Sequence, residues 1–533
     1  MEYNLADLFE SLVDVVGDRE ALVCGDRRLT FAQLEARANR LAHHLQSAGV
    51  GTGDHVGVQL YNCTEYVETM IACFKIRAVP INVNYRYVED ELAYLFNDAD
   101  LVALLVDTEF SERIDAVRPR TPKLRHVITV GAGTRPEGAV DFDEATGGES
   151  EERTGFPERS PDDLYIIYTG GTTGMPKGVM WRQEDLFFAG MGGGEPTGEP
   201  VSRPEEVAER APNKGVLVFF PVAPLMHGAA QLATWIAFLQ GSKAVLVRKF
   251  EPLEVIDMAA REGANSISIV GDAMARPIAE ALAGPRKGTE FPGLFVLSSA
   301  GAILSGAVRE SLAALLPKTM LMDNFGASET GFQGTGVAGS SPDKGLKFTV
   351  NQRSAVLDDN LKPVEPGSGV IGRVAQRGNV PVGYYKDEVK TKESFITIDG
   401  ERWVLLGDMA TVEADGSIAV LGRGAVCINT GGEKVYPEEV EAVLKAHPAV
   451  YDAVVAGVPD ERFGSRVAAV VQLRPDTTVE EADLIAHARQ HVAGYKAPRL
   501  VVVVPEIRRS PSGKADYPWA AKIAAENASS RSS

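Results

Sequence analysis

Apolar positions in the first half of the chain alternate between helix-period stretches and short strand-like runs. This rhythm predicts βαβ units and mostly parallel sheets. Thr30 and Gln33 form a capping-box pair, after which Leu34, Ala38, Leu41 and Leu45 recur at helical spacing as far as Gly49. A strand is expected at His55–Leu60, a helix around Tyr66–Lys75, a strand at Val79–Val83, a helix near Glu89–Phe96 and a strand at Leu101–Val106. Ser266–Val270, Leu294–Ser298 and Thr319–Asn324 read as further strands bordered by helices. After Gly422-Arg423-Gly424 the pattern changes to a compact α+β segment of about 110 residues, enough for a small domain. There Pro437-Glu438-Glu439 opens a helix that Lys445 and His447 close, and strands fit Val467–Leu473 and Leu500–Val504 around a helix at Glu480–Val492. The expected organisation is a large multi-layer α/β body over 1–423 and a small α+β unit over 424–533, ending in a frayed polar tail at 525–533.

Composition narrows the classes. With 533 residues the chain exceeds one ordinary domain, and 44% apolar content suits a globular protein. Its 73 acidic and 54 basic residues leave a formal charge of −19, a surface that repels nucleic acid and anionic membranes. Cys24, Cys63, Cys73 and Cys427 are scattered without a C-x-x-C pair, and the histidines show no H-E-x-x-H spacing. The chain opens without a basic segment followed by an apolar run, and it has no run of about 18 apolar residues. A soluble cytoplasmic protein is expected.

The densest chemistry lies in Tyr168-Thr169-Gly170-Gly171-Thr172-Thr173-Gly174-Met175-Pro176-Lys177-Gly178, after the apolar strand Leu164–Tyr168. Glycines let backbone N–H groups converge on an anion, threonine hydroxyls add donors and lysine adds charge. It is not a Walker A loop, because Lys177 is followed by glycine rather than Ser or Thr. Gly367-Ser368-Gly369-Val370-Ile371-Gly372 fits G-x-G-x-x-G but follows a proline-rich turn and precedes a strand-like run, so it reads as a turn. Gly192-Gly193-Gly194 reads as a flexible loop.

The Thr169–Gly178 segment resembles the phosphate-binding signature of the adenylate-forming superfamily, which includes acyl-CoA synthetases, stand-alone adenylation enzymes and beetle luciferases. The usual Thr-Ser-Gly is Thr-Gly-Gly here, with one hydroxyl donor fewer at Gly170. Further blocks follow in the family's order. Pro224-Leu225-Met226-His227-Gly228 resembles its aromatic-His block and implies that His227 serves as a gate or acyl-site residue; alone, such a histidine would more often belong to the core. Asn324-Phe325-Gly326-Ala327-Ser328-Glu329 resembles the Tyr-Gly-x-Thr-Glu block, which implies Phe325 against adenine, Ser328 by the phosphates and Glu329 as a ligand of Mg²⁺. Gly301 is placed with this nucleotide group. Trp403-Val404-Leu405-Leu406-Gly407-Asp408 matches the block whose aspartate accepts from the ribose diol, here Asp408.

Gly422-Arg423 resembles the family's hinge, with Arg423 on ribose or phosphate and Ala425 where Asp or Lys is usual. Gly431 and Gly432 match the loop that forms the pantetheine tunnel, and Pro511-Ser512-Gly513-Lys514 matches the block that carries the catalytic lysine, Lys514. The resemblance therefore implies an adenylate-forming enzyme fold with a mobile C-terminal lid hinged near 423–425. It also implies an acid–thiol ligase that uses ATP, Mg²⁺ and coenzyme A through an acyl-adenylate. Met180-Trp181-Arg182, Gly271-Asp272-Ala273-Met274 and Gly383-Tyr384-Tyr385-Lys386-Asp387 look like actinobacterial fatty-acyl-CoA synthetases acting on sterol side-chain carboxylates. The implied substrate is a polycyclic or terpenoid acid, with fatty acids next, and a homodimer is an open option. An enzyme limited to one half-reaction, one that loads a carrier protein, and a non-catalytic nucleotide-binding protein remain as alternatives.

Overall fold

The computed structural model describes the chain except residues 170–174, 303, 338–345, 431–432, 461–463, 510–513 and 531–533. One sheet of eight strands runs, in spatial order, Gly383–Tyr384, Lys177–Arg182, Leu164–Thr169, Val79–Asn82, His55–Gln59, Leu101–Asp107, His126–Val130 and Val140–Asp141. It is parallel from Leu164–Thr169 onward, as the βαβ rhythm requires, and the Lys177–Arg182 strand folds back antiparallel. Helix Phe31–Ser47 carries the expected capping box, with Thr30 and Gln33 bonded both ways.

The second sheet begins in the same manner. Glu20–Cys24, Lys243–Leu246, Val218–Pro221, Ser266–Ile269, Val296–Ala300 and Met320–Ala327 are mutually parallel. Beyond Ala327 the chain turns back on itself and the sheet continues antiparallel through Gly331–Val337, Leu346–Val350, Ile418–Arg423, Glu401–Val412 and Gly372–Arg377. The parallel pattern read from the sequence therefore holds only for the first part of this sheet. The later strands pair antiparallel, and only the short helix Glu388–Ser394 falls among their described connections, so no βαβ rhythm marks the change.

A buried charge network ties the first three long helices together. Lys75 is fully buried and bonds Glu10 and, at 3.0 Å, Glu35. Arg153 grips Glu35 at 2.7 and 2.8 Å, and Arg159 grips Glu10 at 3.0 and 2.6 Å. Helices Leu5–Val16, Phe31–Ser47 and Thr64–Lys75 are thus clamped to the segment that leads into strand Leu164–Thr169. Three glycines at 192–194 depart from the expected flexible loop. All three take left-handed φ, and a Cβ on Gly193 would meet Pro200 at 2.7 Å, so this is a packed turn.

From Ile428 onward the chain has its own core. Val450–Asp460 and Gly464–Leu473 pair antiparallel, and Leu500–Val504 adds in parallel. Alternate residues face two layers: Val455, Val467 and Ala469 meet helices Pro437–Lys445 and Glu481–His491, while Val454, Ala468 and Val470 meet Ala520 and Ala524. Of the frayed tail expected over 525–533, residues 525–530 instead belong to helix Tyr517–Ser530, and 531–533 lie outside the described residues. Ala520 and Ala524 are fully buried and Ala528 packs against the same layer, so small residues let the helix lie close to the sheet. Among the described residues no helix is long and apolar enough to cross a membrane.

Replacing Lys75 by Ala should cost about 3 kcal/mol, because it strips a partner from two buried carboxylates, and urea unfolding reads this as a lower midpoint. Burial works to raise the Glu10 carboxyl, but Lys75 and Arg159 overcome it and hold the group below its ordinary range. Its stabilising contribution is therefore present above the unfolded value and lost as pH falls through the folded one, so acid sensitivity should set in below about pH 4.

Candidate active site

The two sheets bring their strand ends to one place. Strands Leu164–Thr169 and Lys177–Arg182 pair so that Thr169 faces Lys177 across the mouth of the hairpin. Gly170, Gly171, Thr172, Thr173 and Gly174 of the glycine–threonine segment, and Gly431 and Gly432, lie outside the described residues. Strand Gly383–Tyr384 adds to the same hairpin, with Tyr384 opposite Val179. Lys177 bonds the Asp387 carboxylate and sits 5.9 Å from the centre of the Tyr384 ring. The Lys177 ammonium and the backbone N–H of Lys390 hold the Asp387 carboxyl below its ordinary range. The Tyr384 hydroxyl donates to Glu329 Oε1 at 3.1 Å.

Glu329 comes from the other sheet, on the turn between strands Met320–Ala327 and Gly331–Val337. That turn is tightly built. Thr330 Oγ1 accepts the Ala327 N–H at 2.9 Å, and Gly331 has φ +67 with room for no Cβ, which would lie 2.6 Å from the Ala189 carbonyl. Trp181 Nε1 donates to the Ser328 carbonyl at 2.8 Å and fastens this turn to the first sheet. Parallel register sets Ala300 opposite Asn324, so Gly301, at φ +78, follows at the same edge. Phe325 stacks on Phe348 with ring centres 5.0 Å apart, and Gly326 marks a shift in register. Asp408 stands opposite Arg423 in the antiparallel part of the same sheet.

His227 precedes helix Gly228–Leu239, and its backbone N–H bonds the Pro224 carbonyl at 3.0 Å. Its loop is held by buried amides. Asn62 spans Ala223 O and Leu225 N, Asn82 reaches Met226 O, and Gln231 reaches Leu225 O. Lys514 belongs to the C-terminal unit. Upstream of it, Arg509 grips Asp452 at 2.8 and 2.6 Å and pairs by its backbone with Ala515. Burial works against the charge of Asp452, and Lys445 and Arg509 hold it ionised.

Motif reading found Lys177, Glu329 and the strand-end glycines. It did not single out Asp387 or Tyr384 as site residues, nor Trp181 or the three amides. A usable signal was present for Asn82: a polar residue that ends the otherwise apolar strand Val79-Pro80-Ile81.

Two sheets converge on Lys177, Tyr384 and Glu329, beside a separately cored unit that carries Lys514, which is the layout the resemblance to adenylate-forming enzymes implies. Residues 9–385 match the AMP-binding enzyme family, and residues 439–514 match the AMP-binding enzyme C-terminal domain. The chain is 47% identical over 527 residues to the medium/long-chain-fatty-acid–CoA/3-oxocholest-4-en-26-oate–CoA ligase of Mycobacterium marinum, covering 97% of this chain and 96% of that one. It is 48% identical to the 3-oxocholest-4-en-26-oate–CoA ligase of Rhodococcus rhodochrous, covering 98% and 96%. The solved structure of ATP-bound MatB from Rhodopseudomonas palustris superposes with a TM-score of 0.81 at 25% identity, over 98% of this chain and 99% of that one. The chain belongs to the AMP-binding enzyme family and is an acyl-CoA ligase, using ATP and coenzyme A.

Removing the hydroxyl in Tyr384→Phe deletes a bond to a charged acceptor, worth about 1.5–3 kcal/mol. Steady-state kinetics should show KM for ATP raised roughly tenfold or more, with the melting temperature little changed.

Proposed function

We propose that this ligase activates bulky hydrophobic acids, namely sterol side-chain carboxylates of the 3-oxocholest-4-en-26-oate kind and long-chain fatty acids. The support is near-half identity over the whole chain to ligases named for those acids in Mycobacterium marinum and Rhodococcus rhodochrous. The observation that carries the chemical reading is the meeting of Lys177, Tyr384 and Glu329 where the sheets converge.

The substrate carboxylate attacks the α-phosphorus of ATP, the bond to the bridging oxygen breaks, and pyrophosphate leaves. The thiol of coenzyme A then adds to the acyl carbon and AMP departs, giving thioester, AMP and one proton. In the first step three anionic groups crowd together, and the chain's task is to hold them and spread the charge. Thr169 and Lys177 stand at the mouth of the phosphate segment, Phe325 and Gly301 flank the base, and Asp408 accepts from the ribose diol. His227 borders the acid.

Glu329 fits a Mg²⁺ ligand by its chemistry. Magnesium bound with a triphosphate takes one or two carboxylates and fills its other positions with phosphate oxygens and water. Among the described residues no group of three or more His, Cys, Asp or Glu side chains could hold a metal by itself. Bound there, the ion would neutralise charge on the phosphates. The family resemblance assigns Arg423 to the ribose or phosphate and Lys514 as a mobile ammonium between carboxylate and α-phosphate. For the second step the lid, residues 424–533, turns about 423–425, withdraws Lys514 and presents Gly431 and Gly432 to the pantetheine arm.

In Lys514→Ala, pyrophosphate exchange should fall about 10²–10³-fold, while thioester formation from synthetic acyl-adenylate persists. Equal loss in both assays would remove Lys514 from its assigned step. Mass-spectrometric scoring of acyl-CoA products should rank 3-oxocholest-4-en-26-oate and long-chain acids at least about a hundredfold above acetate in kcat/KM, from the apolar surface they bury. Preference for the short acid would overturn the substrate class.

A further inference from the structure

Asn82 ends strand Val79–Asn82 and is only 6% exposed, so its amide must find partners inside the protein. It finds three. Its Nδ2 donates to the Tyr168 carbonyl at 2.8 Å and to the Met226 carbonyl at 2.7 Å, and its Oδ1 accepts the Tyr168 N–H at 2.8 Å. Both amide hydrogens and one lone pair are thus spent on backbone, and on two segments far apart in sequence. Strands Val79–Asn82 and Leu164–Thr169 are in ladder register only at Ile81 and Ile166. At Tyr168 the Asn82 side chain takes over from the strand.

The two clasped residues are consequential ones. Tyr168 is followed by Thr169, where the glycine–threonine segment leaves the sheet, and Met226 is followed by His227. One rigid amide therefore fixes the start of the ATP-phosphate segment relative to the start of the acyl-site loop. Tyr168 is anchored at its far end as well, where its hydroxyl donates to Asp98 at 2.7 Å. Asn62 provides a contrast, because among the described residues its amide bonds Ala223 and Leu225 alone, both on the acyl side.

We infer that Asn82 is a positioning residue for adenylation, coupling the ATP-phosphate segment to the His227 loop so that the acid meets the α-phosphate in line. Transfer between two bound anions depends on their separation, and a misplacement of about 1 Å can cost about a hundredfold. Asn82 touches neither substrate and acts through Tyr168 and Met226. The inference rests on the reading of His227 as an acyl-site residue.

The test compares Asn82→Ala, Asn82→Asp and Asn62→Ala in the full-length enzyme, by pyrophosphate exchange with ATP and acid varied separately. Asn82→Ala should raise KM for ATP and KM for the acid together and lower kcat by about 10–100-fold. Asn62→Ala should raise KM for the acid alone. An unmoved KM for ATP in Asn82→Ala, or an Asn62→Ala variant that reproduces both effects, would overturn the coupling. If the coupling fails and Asn62→Ala also leaves KM for the acid unmoved, the placement of His227 is at fault as well.

Should Asn82→Ala not fold, Asn82→Asp carries the question. Its ionised carboxylate has no donor for the two carbonyls, while its protonated form regains one. Exchange activity relative to the unaltered enzyme should therefore climb as pH falls. A ratio independent of pH would count against the inference.

Discussion

Loops buried between two sheets must have their backbone N–H and C=O groups paired, and everything at this site depends on how that demand is met. Parallel strands end together, and the ladder that served their interiors stops there. Here the missing partners are side-chain amides. Asn62, Asn82 and Gln231 are all buried, and each bonds backbone of the 223–226 segment. Gln231 is itself fixed by Tyr165, which donates to its Oε1 at 2.6 Å, and it donates to Tyr66 at 3.1 Å. An unpaired buried group costs about 1–3 kcal/mol, so each amide has few alternatives and the loop has few conformations. Rigidity at the site follows from satisfying the core.

The charged groups at the sheet edge are arranged under the same constraint. Lys177 is matched with Asp387 and Glu329 is bonded by Tyr384, so each charge has a partner within the protein. Asp387 takes one of the three donors of the Lys177 ammonium, which holds it at the strand end with donors to spare for an anion. The surface as a whole is strongly acidic, at −19. The local basicity that a triphosphate needs is therefore concentrated in a few residues, and repulsion elsewhere disfavours unselective capture of polyanions.

Much of this was legible in the sequence where one residue type has one physical job. The capping box at Thr30 and Gln33, the proline-led helix at Pro437 and the parallel strands up to Asn324 all follow from local pattern. The motif blocks fixed the family because glycine and threonine beside one lysine serve no packing purpose. What escaped notice depends on tertiary pairing. The antiparallel half of the second sheet lacks a regular helix–strand alternation, and its Gly334 and Gly336 are glycines because neighbouring carbonyls lie within 2.8 Å of where a Cβ would stand. The last helix looked like a polar tail because its buried face is alanine. Asp387 and Tyr384 gain meaning only once their strand is paired beside Lys177.

The architecture of the C-terminal unit bears on the motion proposed for catalysis. Its sheet is covered on both faces by its own helices, so its cores at Val455 and Val470 are closed without help from the body. Among the contacts that join the two, Arg276 lies 4.9 Å from the Tyr451 ring centre, and the Glu438 carboxylate packs against Gly422. Turning such a unit leaves both cores intact and exchanges one set of surface contacts for another. The difference between orientations can then be small enough for bound ATP or acyl-adenylate to decide it. The Arg509–Asp452 pair matters in this respect, since it ties the segment that bears Lys514 to the lid's own sheet. On the motion proposed for catalysis, Lys514 would travel with the lid's own sheet.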